Sequence, residues 1–136
     1  MARAILEAVA YRLRSVLEAV EQVAGPAVEI RASGGFMRSS LWVQILADVL
    51  GRPLTLPHTA NTSALGAALF GWYALGEMGD LQEVTRLTLM TETVQPDAAR
   101  HAAYTRLYRL YGTLYSQLGA AFAEISDIQA GSIEGT

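Results

Sequence analysis

No cysteine and no lysine occur in the 136 residues. The first absence excludes disulfides, thiolate metal sites and a cysteine nucleophile, and it fits a cytoplasmic protein. The second leaves ten cationic side chains, all arginine and scattered along the chain, in a sequence that is only 17% charged with a net charge of −3. That pattern offers no polyanion-binding surface, so nucleic acid is not an expected partner. Apolar runs are also short, because Arg, Glu or Gln interrupts each one before it reaches membrane-spanning length. The opening Met-Ala-Arg-Ala-Ile-Leu-Glu lacks the basic-then-apolar order of a signal peptide. Three catalytic signatures are missing as well: a Gly-x-x-x-x-Gly-Lys phosphate loop, a three-glycine dinucleotide fingerprint and a Gly-x-Ser-x-Gly elbow. His58 and His101 lie far apart in sequence, and no metal site is expected.

What is present is a 51% apolar chain, the length of one domain or part of one. Ile5, Val9, Leu13, Val16, Leu17, Val20 and Val23 mark one face of a long helix over residues 3–24, with Glu7, Arg14, Glu18 and Glu21 away from it. The helical pattern begins at once, as in a chain cut into an existing element. Gly25-Pro26 ends it. The alternation in Ala27-Val28-Glu29-Ile30-Arg31-Ala32 predicts a short strand.

Gly34-Gly35 then forms a turn, and Ser39 or Ser40 can cap the helix that follows. That helix is expected to bury Leu41, Trp42, Ile45, Leu46, Val49 and Leu50, with Gln44 and Asp48 on another stripe. Gly51 and Pro53 end it. Leu54–Pro57 reads as a second strand and His58–Thr62 as a polar loop.

Residues 63–75 read as a helix in which Gly66, Ala67 and Gly71 suggest a closely packed backbone or ligand. Asp80 and Glu83 suggest a capping box for a short helix to about Leu87. An extended or irregular connection over 88–96 follows. From Asp97, an N-cap, the last long helix carries Tyr104, Leu107, Tyr108, Tyr111, Leu114, Tyr115, Leu118 and Phe122, spaced as core or interface residues. Residues 126–136 read as a frayed tail.

A strand, a paired-glycine turn and a helix start together suit an anion, since the helix offers unpaired N–H groups and a partial positive charge. Two linked stretches carry a wider resemblance. Ser33-Gly-Gly-Phe-Met-Arg-Ser-Ser-Leu-Trp-Val-Gln-Ile-Leu-Ala-Asp-Val-Leu-Gly-Arg-Pro53, followed by Ser63-Ala-Leu-Gly-Ala-Ala68, resembles the C-terminal lobe of the FGGY carbohydrate kinases, nearest to the gluconate kinase branch. The opening helix resembles the one preceding that motif. Similarity is strong over residues 2–80 and looser in the last helix.

The resemblance implies an α/β, actin-like ATPase (ribonuclease H-like) C-terminal lobe, helix-dominated with short strands, over residues 1–125. It implies ATP as cofactor, with Mg²⁺ carried by the nucleotide, and a sugar or sugar acid as substrate: gluconate first, xylulose or glycerol as alternatives. Gly34, Gly35 and Phe36 would approach the nucleotide through the backbone, and Ser39 would sit near the adenosine end. Gln44 and Asp48 match motif positions and are expected to brace the turn and neighbouring loops. Asn61 stands where relatives usually carry Glu, and can cap the next helix.

The sugar-binding lobe and the segment with the catalytic aspartate do not match anything in this sequence, so no catalytic residue is assigned. A helix N-terminus contributes up to about 2 kcal/mol toward an anion, whereas micromolar affinity needs about 8 kcal/mol. Alone, the chain should bind ATP weakly, transfer nothing and tend to self-associate as a homo-oligomer. A non-catalytic helical interaction module, docking through the Tyr-rich or Ala/Gly-rich helix, is the alternative, and a nucleotide-binding actin-like protein without a sugar substrate is a third.

Overall fold

The computed structural model describes residues 2–80, 82–83 and 90–133. Its elements are α1 (Ala2–Ala24), a single 3-10 turn (Gly35–Arg38), α2 (Ser40–Leu50), β1 (Leu54–Pro57), α3 (Thr62–Ala74), β2 (Met90–Val94), α4 (Ala98–Gln117) and α5 (Gly119–Ile133). They fall into two units, Met1–His101 and Ala102–Thr136.

In the first unit β1 is central. β2 pairs with it antiparallel, Leu54 opposite Val94 and Thr55 opposite Thr93, with an irregularity at Leu56/Pro57. The connection expected over 88–96 is thus a regular edge strand in its described part. On the other side of β1 the predicted strand over 27–32 shrinks to one parallel bridge, Arg31 to Thr55. The alternation there sets the extended backbone, but among the described residues only Ile30 and Ala32 find a main-chain partner, both through Thr55 at 3.0 Å.

Leu54 and Leu56 are buried from the sheet, and Val43, Ile45, Leu46, Ala47 and Val49 from α2. Leu41 is exposed, and Trp42 and Leu50 are only half-buried, contrary to expectation. α2 is covered on a wider arc than its apolar stripe implies, and the buried set includes Asp48.

α1 lies against α2, but not by its apolar stripe. Ala10 and Tyr11 are its buried residues, and the Arg14 guanidinium donates to the Val49 carbonyl at 3.1 Å. Ile5, Val9, Leu13, Val16, Val20 and Val23 remain exposed. Periodicity reports which face is apolar and not what covers it. Glu21, expected to point away, accepts from the Ala27 N–H at 2.9 Å and from Arg52 at 3.2 Å, closing the corner after Gly25-Pro26.

α3 buries Leu69 alone and exposes Phe70, Trp72 and Tyr73. No heavy atom lies within 4 Å of a Cβ placed on Gly66 or Gly71, so the close neighbour expected there is absent among the described residues. A Schellman ending stops α3: Glu77 N–H reaches Trp72 O at 3.0 Å, Gly76 N–H reaches Tyr73 O at 3.1 Å, and Gly76 has φ 78°. Asp80 accepts from the Gln82 N–H at 2.9 Å; the helix expected from there to Leu87 lies outside the described residues.

The second unit is helical. α5 runs to Ile133, so residues 126–133 are helical where a frayed tail is expected; alanines at 120, 121, 123 and 130 favour helix without needing an apolar face. Leu107, Leu110, Leu114 and Leu118 form an exposed stripe, and the rings of Tyr108 and Tyr111 stack at 6.4 Å. Among the described residues no helix is long and apolar enough to cross a membrane.

Candidate functional site

The Gly-Gly loop joins the Ile30–Ala32 segment to α2. Gly34 has φ 119° and ψ −175°, a region essentially closed to residues with a Cβ. Gly35 does not share that requirement: it begins the 3-10 turn, and its φ lies outside the left-handed range. Gly35 instead has room beside it, since nothing lies within 4 Å of where its Cβ would be. The turn is closed by Met37 N–H to Gly34 O at 3.1 Å and Ser39 N–H to Phe36 O at 3.0 Å.

Ser39 is the N-cap of α2, its hydroxyl accepting from the Trp42 N–H at 3.3 Å. Accepting leaves its own hydrogen free to donate to a ligand. The Phe36 ring meets Trp42 edge to face at 5.7 Å and lines a groove shared with Leu13 and Val16.

One connection was not legible in the sequence. The Thr62 hydroxyl donates to the Ser33 hydroxyl at 3.1 Å, tying the residue before the glycines to the first residue of α3. Both are small polar residues next to a predicted turn and a predicted helix start; only their juxtaposition was hidden. Asn61 occupies the N-cap position of α3 but makes no side-chain capping bond, so its expected capping role is not realised. The Asn61 N–H is instead held by the Thr59 hydroxyl at 3.1 Å.

Of the turn and neighbouring loops that Gln44 and Asp48 are expected to brace, they hold the one at Gln95–Asp97. Asp48 is 1% exposed. Its Oδ1 accepts from Gln44 Nε2 and from the Asp97 N–H, both at 2.8 Å, while Arg100 Nη1 stands 3.5 Å from Oδ2. Gln44 Nε2 also donates to the Gln95 carbonyl at 3.0 Å. The pair therefore fastens α2 to the start of α4, leaving the glycine loop to Ser33, Ser39 and Thr62.

His101 closes the same corner. Its Nδ1 is 2.9 Å from the Asp48 carbonyl, and its ring occupies the space a Cβ on Gly51 would need, 2.6 and 2.7 Å from its two nitrogens. Gly51, at φ 66°, ends α2 as expected. His58 is exposed, and among the described residues no three of His, Asp or Glu gather to hold a metal ion.

The helix-dominated α/β unit thus carries a glycine loop that enters a capped helix, an arrangement that suits an anion. Residues 1–75 match the model of the FGGY family of carbohydrate kinases, C-terminal domain. The chain is 33% identical to a gluconokinase of Bacillus licheniformis over 130 residues, 95% of this chain and 25% of that protein. Among solved structures, a xylulose kinase from Rhodospirillum rubrum aligns with TM-score 0.71 and 39% identity, over 89% of this chain and 25% of that one. A gluconate kinase from Lactobacillus acidophilus aligns with TM-score 0.74 and 26% identity, over 92% and 25%. The chain belongs to the FGGY family of carbohydrate kinases and has their actin-like ATPase fold. It spans about a quarter of the length of the relatives it matches.

Proposed function

We propose that the chain supplies the nucleotide side of an ATP-dependent sugar kinase, residues 1–125 forming that part of the lobe. The parent reaction moves a phosphoryl group from ATP to a hydroxyl of a sugar or sugar acid. Gluconate is the first substrate to test, because the gluconokinase match runs through nearly the whole chain; xylulose and glycerol follow. The reading goes with a cytoplasmic location and with Mg²⁺ arriving on the nucleotide.

The observation that carries the proposal is the glycine loop: a backbone only glycine adopts at Gly34, open space at Gly35, and hydroxyl ties on both flanks. Gly34, Gly35 and Phe36 would hold the nucleotide through main-chain groups, and Ser39 through its free hydroxyl hydrogen. ATP supplies the transferable phosphoryl group; this chain's part is to bind and orient it. Phosphoryl transfer also needs a residue to orient the attacking hydroxyl, and none is assigned here, so the isolated chain is expected to be inactive. The exposed Phe70 and Trp72 would suit a helical docking module, but the family match covers α3 as well and favours the kinase.

Calorimetric titration of the chain with Mg·ATP tests the site. Saturable binding near the millimolar range is expected, about 4 kcal/mol. Gly35→Val should abolish it without altering the circular dichroism, because its side chain enters open space. Tight binding indifferent to Gly35→Val would place the nucleotide elsewhere.

A further inference from the structure

Helical hydrogen bonding continues across the junction of α4 and α5. The Leu118 N–H reaches Leu114 O at 3.0 Å, and the Leu118 carbonyl accepts from the Phe122 N–H at 2.9 Å. The angular phase of one helix therefore carries into the next. Leu107 and Ile125 stand 18 residues apart, five whole turns, with Leu110, Leu114 and Leu118 on the same face between them. All five are 47–56% exposed. Arg106 and Glu124 are also 18 residues apart, so they flank this stripe along the same edge, about 27 Å from each other. Both are exposed, and neither enters an ion pair among the described residues. The other charges of the stretch, Arg109 and Asp127, fall by the same spacing on the back of the helix, away from the leucines.

An apolar stripe with a cation at one end and an anion at the other is complementary to itself reversed. We infer that two copies of this chain pair antiparallel through the Leu107–Ile125 stripe, with Arg106 of each copy against Glu124 of the other. In a two-fold pair, residue i meets j and j meets i. Both ion pairs then share an axis level with position 115, the midpoint of Arg106 and Glu124. The midpoint of Leu107 and Ile125 falls at position 116, so one axis serves the charges and the apolar seam together. A parallel pair would gather both arginines at one end and both glutamates at the other, where like charges oppose association. Opposed charges at the edges of a helical seam set orientation in this way. The inference stands on the second unit alone and does not depend on the kinase reading.

The test is a charge exchange followed by analytical ultracentrifugation of the chain. The native chain should form dimers, and Arg106→Glu or Glu124→Arg alone should raise the dimer Kd about tenfold, since each turns two attractions into two repulsions. The double variant should restore the native Kd. Mixing the two single variants should give dimers tighter than either forms by itself, because each then meets its opposite charge. Within one molecule the two side chains are five turns apart and cannot touch, so restoration reports contact between copies. Circular dichroism should show the same helix content throughout, as both substitutions are exposed and favour helix. A native chain that stays monomeric overturns the inference and leaves the stripe to another partner. Dimers indifferent to either single variant overturn it too, and would point to the apolar face of α1 as the contact. A double variant as weak as the single ones would exclude the antiparallel register.

Discussion

The Asp48 carboxylate holds one main-chain N–H, that of Asp97, and two side chains, Gln44 and Arg100. A buried acceptor that loses its place leaves its donors unsatisfied, and this costs more than the bond itself contributes. Asp48→Ala strands the Asp97 N–H and the Gln44 amide, so a loss of about 2–3 kcal/mol is expected in urea unfolding. Arg100→Ala removes a partner that is itself 54% exposed and 3.5 Å away, so it should cost less than about 1 kcal/mol. Equal losses from the two variants would mean that the ion pair, and not the hydrogen bonds, secures the corner. The sequence pointed to Gln44 and Asp48 as a pair four apart on one helix, and they do bond. It could not show that the pair reaches Gln95 and Asp97, because that contact joins residues about fifty apart. Ser39 illustrates the opposite case: capping depends only on local neighbours, so the sequence narrowed the cap to Ser39 or Ser40, and Ser39 fills it.

At the level of elements, caps and breakers account for most of what the sequence made legible. Gly25-Pro26, Ser39, Gly51 and Asp97 each bound a helix where the residue types said they would, because these signals act within one turn of backbone. Strands were harder to read. The alternation at 27–32 was real but left mostly unpaired, and β2 was seen only as a connection, since pairing depends on distant residues. The apolar face of α1 was read correctly, but its burial was not.

Asp97 makes one element-scale effect measurable. The Arg100 N–H donates to its Oδ1 at 2.8 Å. This bond first, and then the Arg100 guanidinium, hold the carboxyl below its usual 3.8 against the opposing pull of partial dehydration. A carboxyl depressed on folding stabilises the folded chain above its unfolded value and loses that contribution as pH falls through the folded one. The thermal midpoint of native chain should therefore exceed that of Asp97→Asn at neutral pH, and the gap should close as the pH drops below 3.8. A gap that persists unchanged into acid would remove the N-cap carboxylate from the account.

For the whole molecule, the unit Met1–His101 combines a glycine loop with open space, a start of α4 braced against α2, and an exposed apolar face on α1. Each suits a chain that spans about a quarter of the length of its kinase relatives. On the proposed reading the Gly34–Ser39 loop serves the nucleotide and not the sugar. Steady-state kinetics decide this in a chimera of the Rhodospirillum rubrum xylulose kinase whose matching quarter is replaced by this chain, with and without Gly35→Val. The account predicts an active chimera in which Gly35→Val raises the KM for ATP about tenfold, roughly 1.4 kcal/mol, and leaves the KM for xylulose unchanged. A folded chimera in which Gly35→Val alters the sugar KM and spares that for ATP would contradict it.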